Sequence, residues 1–236
     1  MFADYRKLWT ATFLSITCLT LPGPALGQDA PEPQDAKPAL RIICVSALEE
    51  DQKVVIASRD ESGTWKEHGE IKLRSSYVTD WLPVASGSMH LAVRVDDELE
   101  SICRFTYPAA ARRALLVLLP DVKAKSYHAD LVNPAKLNFA KGSTLLVNYS
   151  PKVGTVMLGA RRASVKPGER AVMKPIPDPN GMFRMLVAYT NEAGELVNCY
   201  DRYIGRNSEA RNLLLLFPDP VLGLRAYSLP EFGPFE

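Results

Sequence analysis

The side chains able to do chemistry are few and scattered. His68, His90 and His128 stand far apart, whereas an imidazole metal site needs converging ligands, commonly a few residues apart on one element. His90 also falls on the solvent-facing phase of an alternating segment. There is no Gly-x-Ser-x-Gly elbow, no Ser-x-x-Lys with partner motifs and no Gly-Lys-Ser/Thr phosphate loop. No catalytic residue and no cofactor is assigned. The candidate cation ligands are Asp96, Asp97 and Glu98, with Glu100 nearby, since calcium takes carboxylate and carbonyl oxygens from a single loop. The loop lacks the Asp-x-Asp-x-Asp-Gly pattern, and a solvated hairpin turn explains the same residues. Trp65, Tyr77 and Trp81 are the candidate binding residues, because exposed aromatic rings stack on sugars, although a Trp in a small domain is more often core.

The cysteines point to a compartment and a cross-link. Outside the first 27 residues stand Cys44, Cys103 and Cys199, an odd number that leaves at least one unpaired in a monomer. Cys44 and Cys103 form a candidate disulfide if their strands bring the Cα atoms within about 7 Å. Cys199 then remains as a buried thiol or a handle for an intermolecular bridge.

Residues 1–27 read as a signal peptide: Arg6 and Lys7 precede an apolar run from Leu8 to Leu21, and Ala25-Leu26-Gly27 offers a cleavage site before Gln28. The run is shorter than the roughly 20 apolar residues of a comfortable membrane span, so the mature chain is expected to be exported and to carry no stable span. Removing Asp4, Arg6 and Lys7 leaves equal numbers of acidic and basic side chains. A neutral chain with interspersed charges lacks the clustered basic surface that nucleic acid requires. Residues 28–39, with three prolines and little to bury, read as a linker.

What must position these residues is a duplicated β structure. Arg113-Ala-Leu-Leu-Val-Leu-Leu-Pro-Asp121 recurs as Arg211-Asn-Leu-Leu-Leu-Leu-Phe-Pro-Asp219. The match extends to Met89–Val95 against Met185–Tyr189, Cys103 against Cys199, and Ile42–Ala47 against Leu145–Ser150. Apolar residues alternate with polar ones at Ile71/Leu73, Met89/Leu91/Val93/Val95 and Phe183/Met185/Val187/Tyr189, while Leu115–Leu119 and Leu213–Phe217 run unbroken, as strands covered on both faces do. Turn chemistry separates them at Asp60–Gly63, Ala85–Gly87, Asp96-Asp97, Lys166–Gly168, Asp178–Gly181 and Asn191–Gly194. The expectation is an all-β protein of two tandem antiparallel immunoglobulin-like β-sandwich domains, 40–130 and 140–229, with six or seven strands each and a 230–236 tail. Pro108–Arg112 and Asn207–Arg211 are each expected to form one helical turn.

Tyr77-Val-Thr-Asp-Trp-Leu-Pro-Val-Ala-Ser-Gly-Ser-Met-His-Leu-Ala-Val93 resembles the Tyr, Leu-Pro, Gly and alternating-strand signature of small secreted bacterial β-sandwich domains of unknown function. It covers one strand pair of the first repeat, and the second repeat has no matching Leu-Pro step. The resemblance implies an exported sandwich and brings no functional residues. The expected function is a non-enzymatic binding or structural accessory protein of the bacterial envelope, periplasm or extracellular space, with a protein or glycan partner. The alternatives are a glycan-acting hydrolase and a carbohydrate-binding module.

Overall fold

The computed structural model describes residues 37–137, 139–219 and 221–231. Residues 1–36, on which the expected signal peptide and most of the expected linker fall, and residues 232–236 of the expected tail lie outside the described residues. The first half contains β1 (Ala39–Cys44), β2 (Gln52–Arg59), β3 (Trp65–Leu73), β4 (Tyr77–Val78), β5 (Leu82–Pro83), β6 (Gly87–Val95), β7 (Glu98–Tyr107), β8 (Arg113–Asp121) and β9 (Ser126–Val132). A 3₁₀ turn, Pro134–Leu137, leads to the second half: β10 (Thr144–Asn148), β11 (Gly154–Leu158), β12 (Arg161–Val165), β13 (Arg170–Met173), β14 (Met182–Thr190), β15 (Leu196–Gly205), β16 (Arg211–Asp219) and β17 (Gly223–Glu231). Each half thus has more strands than expected. The two segments read as single helical turns are instead non-helical links, with Ala111 N–H donating to Pro108 O in the first.

The halves repeat one strand order. In the first, an inner sheet runs β4-β1-β8-β9, with β5 also on β1, and an outer sheet runs β3-β2-β6-β7; in the second, the orders are β13-β10-β16-β17 and β12-β11-β14-β15. Pairing between strands is antiparallel except in one place per half, where β1 runs parallel to β8 and β10 to β16. The unbroken apolar runs are these central strands. Leu116 and Leu118 face the outer sheet of their own half, in a core with Ile42, Ile56, Met89, Leu91 and Phe105. Leu214 and Leu216 do the same with Leu146, Val156, Met185 and Val187. The intervening residues point the other way: Ile43, Leu115, Val117, Val147, Leu213, Leu215 and Phe217 form a third core shared by the two inner sheets. Strand periodicity puts neighbouring residues on opposite faces, so an all-apolar strand is what a sheet buried on both sides requires. The sheets therefore stack outer, inner, inner, outer.

Polar groups fasten the shared core at its margin. Tyr149 Oη donates to Asp130 Oδ2 at 2.6 Å, Arg170 pairs with the other oxygen of Asp130, and Tyr227 Oη donates to Ser76 O at 2.5 Å. Burial, with the Asp130 carboxylate beside it, holds the Tyr149 phenol far above its ordinary range.

Register corrects two of the sequence correspondences. Ile42 pairs with Leu116 and Leu146 with Leu214, so the match that carries Leu116 onto Leu214 carries Ile42 onto Leu146 rather than Leu145. Cys44 then answers Asn148, since these pair with Leu118 and Leu216. Both β6–β7 and β14–β15 contain a bulge, at Leu91/Ala92 and Val187/Ala188. Cys103 lies opposite Leu91 and Tyr200 opposite Val187, so Cys103 answers Tyr200, and Cys199 is the bulged residue that answers Ile102.

Candidate binding cleft

Strand β3 ends the outer sheet of the first half, and β4 and β5 together edge its inner sheet. On this side the two sheet edges separate around an open cleft of about 280 Å³, lined by Ile71, Lys72, Arg74, Tyr77, Thr79, Asp80 and Leu82. Its shape follows from the break between β4 and β5. Thr79 N–H donates to Ile42 O at 3.0 Å, and Thr79 Oγ1 accepts from Ile42 N–H at 3.0 Å while donating to Asp80 O at 2.8 Å. One buried threonine thus supplies both partners of Ile42 and turns the next residues out of the sheet. Alternation along β3 buries Ile71 and Leu73 and leaves Lys72 exposed, with Arg74 following as an exposed residue.

The cleft is polar and mixed in charge. Arg74 is ion-paired with Asp51, and that hydrogen bond and charge raise its pKa. Lys72 and Asp80 are exposed at the rim, and Tyr77 offers a ring that is 43% exposed. Asp80 is the single carboxylate among the described residues that line the cleft.

The three candidate aromatic residues do not form one platform. Trp65 is half-buried on the outward face of the outer sheet, against Val55, Ala57, Ala92 and Leu99. Its ring has the Arg59 guanidinium 4.2 Å from its centroid and meets His90 edge-on at 5.1 Å. Trp81 packs against the shared core, with the Arg41 and Arg113 guanidiniums each 5.1 Å from its ring centroid. Both indoles already hold cations. Tyr77 alone of the three lines the cleft.

The remaining candidates take structural positions. Asp96 and Asp97 have φ of 48° and 67° and join paired Val95 and Glu98, the geometry of a two-residue type I′ hairpin. Among the described residues, no group of three or more His, Cys, Asp and Glu side chains could hold a metal ion. Cys44 and Cys103 share the core of the first half but are free thiols, as is half-buried Cys199, whose Sγ donates to Val187 O. The candidate disulfide is therefore not formed. His68 Nε2 is 2.8 Å from Ser58 Oγ, and His90 Nδ1 is 2.8 Å from Ser101 Oγ. Burial lowers the pKa of both rings, helped by Lys66 in the first case and by Arg104 and Arg59 in the second. His128 lies 3.5 Å from Asp121.

Sequence reasoning singled out Tyr77 and missed Lys72, Arg74, Thr79, Asp80 and Leu82. The signal was the short spacing of two edge strands around Thr79–Trp81, which forces a break in the sheet margin. Neither a protein-family model nor a curated protein matches this chain in sequence. Among the described residues, no helix is long and apolar enough to cross a membrane.

Proposed function

We propose that this is an exported, non-enzymatic binding or structural accessory protein of the bacterial envelope or extracellular space, and that it meets its protein or glycan partner at the Tyr77 cleft. The observation that carries the reading is the placement of an exposed tyrosine ring between Lys72, Arg74 and Asp80, at the open side of a sandwich. Aromatic rings with flanking polar groups supply contact area and orientation together. Export rests on the leader reading of residues 1–27, and mature material should begin at or near Gln28. The hydrolase alternative needs two carboxylates about 5 to 10 Å apart across a substrate, and the cleft lining contributes Asp80 alone. The carbohydrate-module alternative loses its two tryptophans as open stacking faces, because guanidiniums lie on both.

The test places a photo-crosslinking phenylalanine analogue at Tyr77 and, as control, at exposed Tyr203 on the second half. Irradiation in cells that export the protein should yield a discrete adduct from position 77 and none from 203. Titration with chitohexaose and cellohexaose then separates glycan from protein partners. Equal adducts at both positions would remove the cleft from the reading.

A further inference from the structure

The outward face of the first outer sheet brings basic groups together from three strands. His90 of β6 pairs with Ala57 of β2 on one side and with Arg104 of β7 on the other. Met89, Leu91, Cys103 and Phe105, their neighbours in sequence, lie in the core of the first half, so strand alternation turns His90 and Arg104 to solvent. Arg59, at the end of β2, lays its guanidinium over Trp65, whose ring meets His90 edge-on. Two hydroxyls hold the arrangement: Ser101 Oγ lies 2.8 Å from His90 Nδ1, and Ser88 Oγ accepts from Arg104 Nε at 3.1 Å. These bonds use one nitrogen of each side chain and leave the others for a further acceptor. The floor is apolar, made by Val55, Ala57, Ala92 and Leu99, and a low-dielectric floor strengthens the pull of the charges above it. Among the described residues, the acids of the adjoining strand and turn are engaged elsewhere. Glu67 pairs with Arg94 at 2.6 Å, Glu70 with Lys53 at 3.6 Å, and Asp60 accepts from Ser62 and Thr64 in its own turn. Burial, and then the charges of Arg104 and Arg59, hold the His90 pKa below its ordinary value, as an uncompensated positive field does.

The second half fills the same places with other chemistry. Leu91 answers Val187, so by register His90 answers Leu186, Arg104 answers Asp201, Ser88 answers Arg184 and Arg59 answers Gly159. There Arg184 clamps Asp201 through two bonds of 2.8 and 2.6 Å. A closed ion pair therefore satisfies the fold at this point, and the first half carries an arginine where that pair has its acid. We propose that Arg59, His90 and Arg104 form a binding site for a tetrahedral oxyanion, the phosphate or sulfate group of an ester. Donors from three strands suit a group with three or more oxygens better than a two-oxygen carboxylate, and guanidinium bonds to such oxygens are charge-assisted and directional. A soluble ester and a lipid phosphomonoester present the same group. The proposal uses none of the residues of the Tyr77 cleft and does not rest on that reading.

The experiment titrates the full chain with inorganic phosphate and inorganic sulfate at constant ionic strength and follows the His90 imidazole signals by NMR. Saturable shifts are expected with either anion and none with chloride. A bound anion favours the protonated ring, so the His90 titration midpoint should rise in phosphate. Arg104→Gln should weaken binding about tenfold, the scale of one hydrogen bond to a charged group, while Lys123→Gln in the β8–β9 turn should leave it unchanged. Ser88→Arg combined with Arg104→Asp installs the ion pair of the second half, and should abolish binding with the unfolding midpoint preserved. Vesicles of phosphatidic acid, set against phosphatidylcholine, separate the two sources. Cosedimentation that the double substitution removes assigns the group to a lipid; saturable binding of glycerol phosphate without cosedimentation assigns it to a soluble ester. The site is overturned by shifts that do not saturate, by equal weakening from Lys123→Gln and Arg104→Gln, or by anion binding that survives the double substitution.

Discussion

Cys44 and Cys103 sit unbonded in the same core, where burial pushes each thiol up to about 12 from 9.0. Tyr107 and Tyr127, buried in that core, are likewise pushed up to about 12 from 10.0. For these acids the sign is definite. Below about pH 9 folded and unfolded chains hold the same protons, and the full stability is present. As pH rises from there toward 12, the unfolded chain ionises first and stability falls. Urea midpoints measured from pH 8 to 11 should therefore decline steadily; a flat profile would contradict the burial of these groups. Residue-resolved alkylation should label Cys199 before Cys44 and Cys103 in the native protein, because burial raises all three thiols but Cys199 is only half-buried and open to the reagent while the other two are enclosed. A Cys44–Cys103 cross-linked peptide in a non-reducing digest would refute the free thiols. The pairing status of Cys44 was not legible in the sequence, since a buried thiol and a half-cystine look alike there. Asn148, which answers Cys44, shows what else the position can hold. Its Nδ2 donates to Lys152 O and Val165 O, and its Oδ1 accepts from Ser150 N–H and Oγ. Asn148→Ala should cost about 2 to 4 kcal/mol in chemical denaturation, because several buried groups lose their partner at once.

The duplicated element β8–β9 and β16–β17 explains the Pro-Asp that ends both apolar runs. Asp121 Oδ1 accepts from the Lys123 and Ala124 N–H groups, and Asp219 Oδ1 from those of Val221 and Leu222, so each carboxylate folds the chain back. The first return reaches β9 through Lys125 at φ 48°, and the second through Gly223 at φ 75°. At Gly223 an added Cβ would lie 2.4 Å from Tyr189 Oη and 2.8 Å from Lys152 Nζ. Gly223→Ala should therefore destabilise by about 1 to 3 kcal/mol, whereas Lys125→Gly should be neutral or stabilising by up to about 1 kcal/mol. Paired urea titrations check both, and equal effects would deny the difference between the two turns. These hairpins were legible because turn residues and a period of two leave a clear pattern. The register of β1 against β10 was not. Both faces of these strands are apolar, so a one-residue slip leaves the composition unchanged while exchanging the two cores. The bulge at Cys199 escaped because a single inserted residue shifts the offset between the repeats by one and leaves the aligned cysteines looking equivalent, and the cleft because its walls, β3 and β4–β5, meet only through packing.

In the whole molecule, the shared core decides how the halves respond to damage. A duplicated sequence alone suggests two units that unfold separately. Leu115 and Leu213, however, bury their side chains in the cluster common to both inner sheets. Leu115→Ala and Leu213→Ala should each cost about 2 to 5 kcal/mol and lower one common calorimetric transition. Two resolved transitions, only one of which moves with each substitution, would show that the contact does not couple the halves. The positions that meet are matching ones: Ile43 with Val147, Leu115 with Leu213 and Val117 with Leu215 stand at equivalent places in the two inner sheets. Like surfaces facing each other are the mark of a two-fold homodimer, here with the second subunit carried on the same polypeptide. Tethering fixes the stoichiometry and makes the pairing immune to dilution. It also releases the copies from identity. Symmetric subunits must carry every feature twice, but a fused pair can keep a buried Cys44 thiol in one copy and the Asn148 hydrogen-bond hub at the equivalent place in the other.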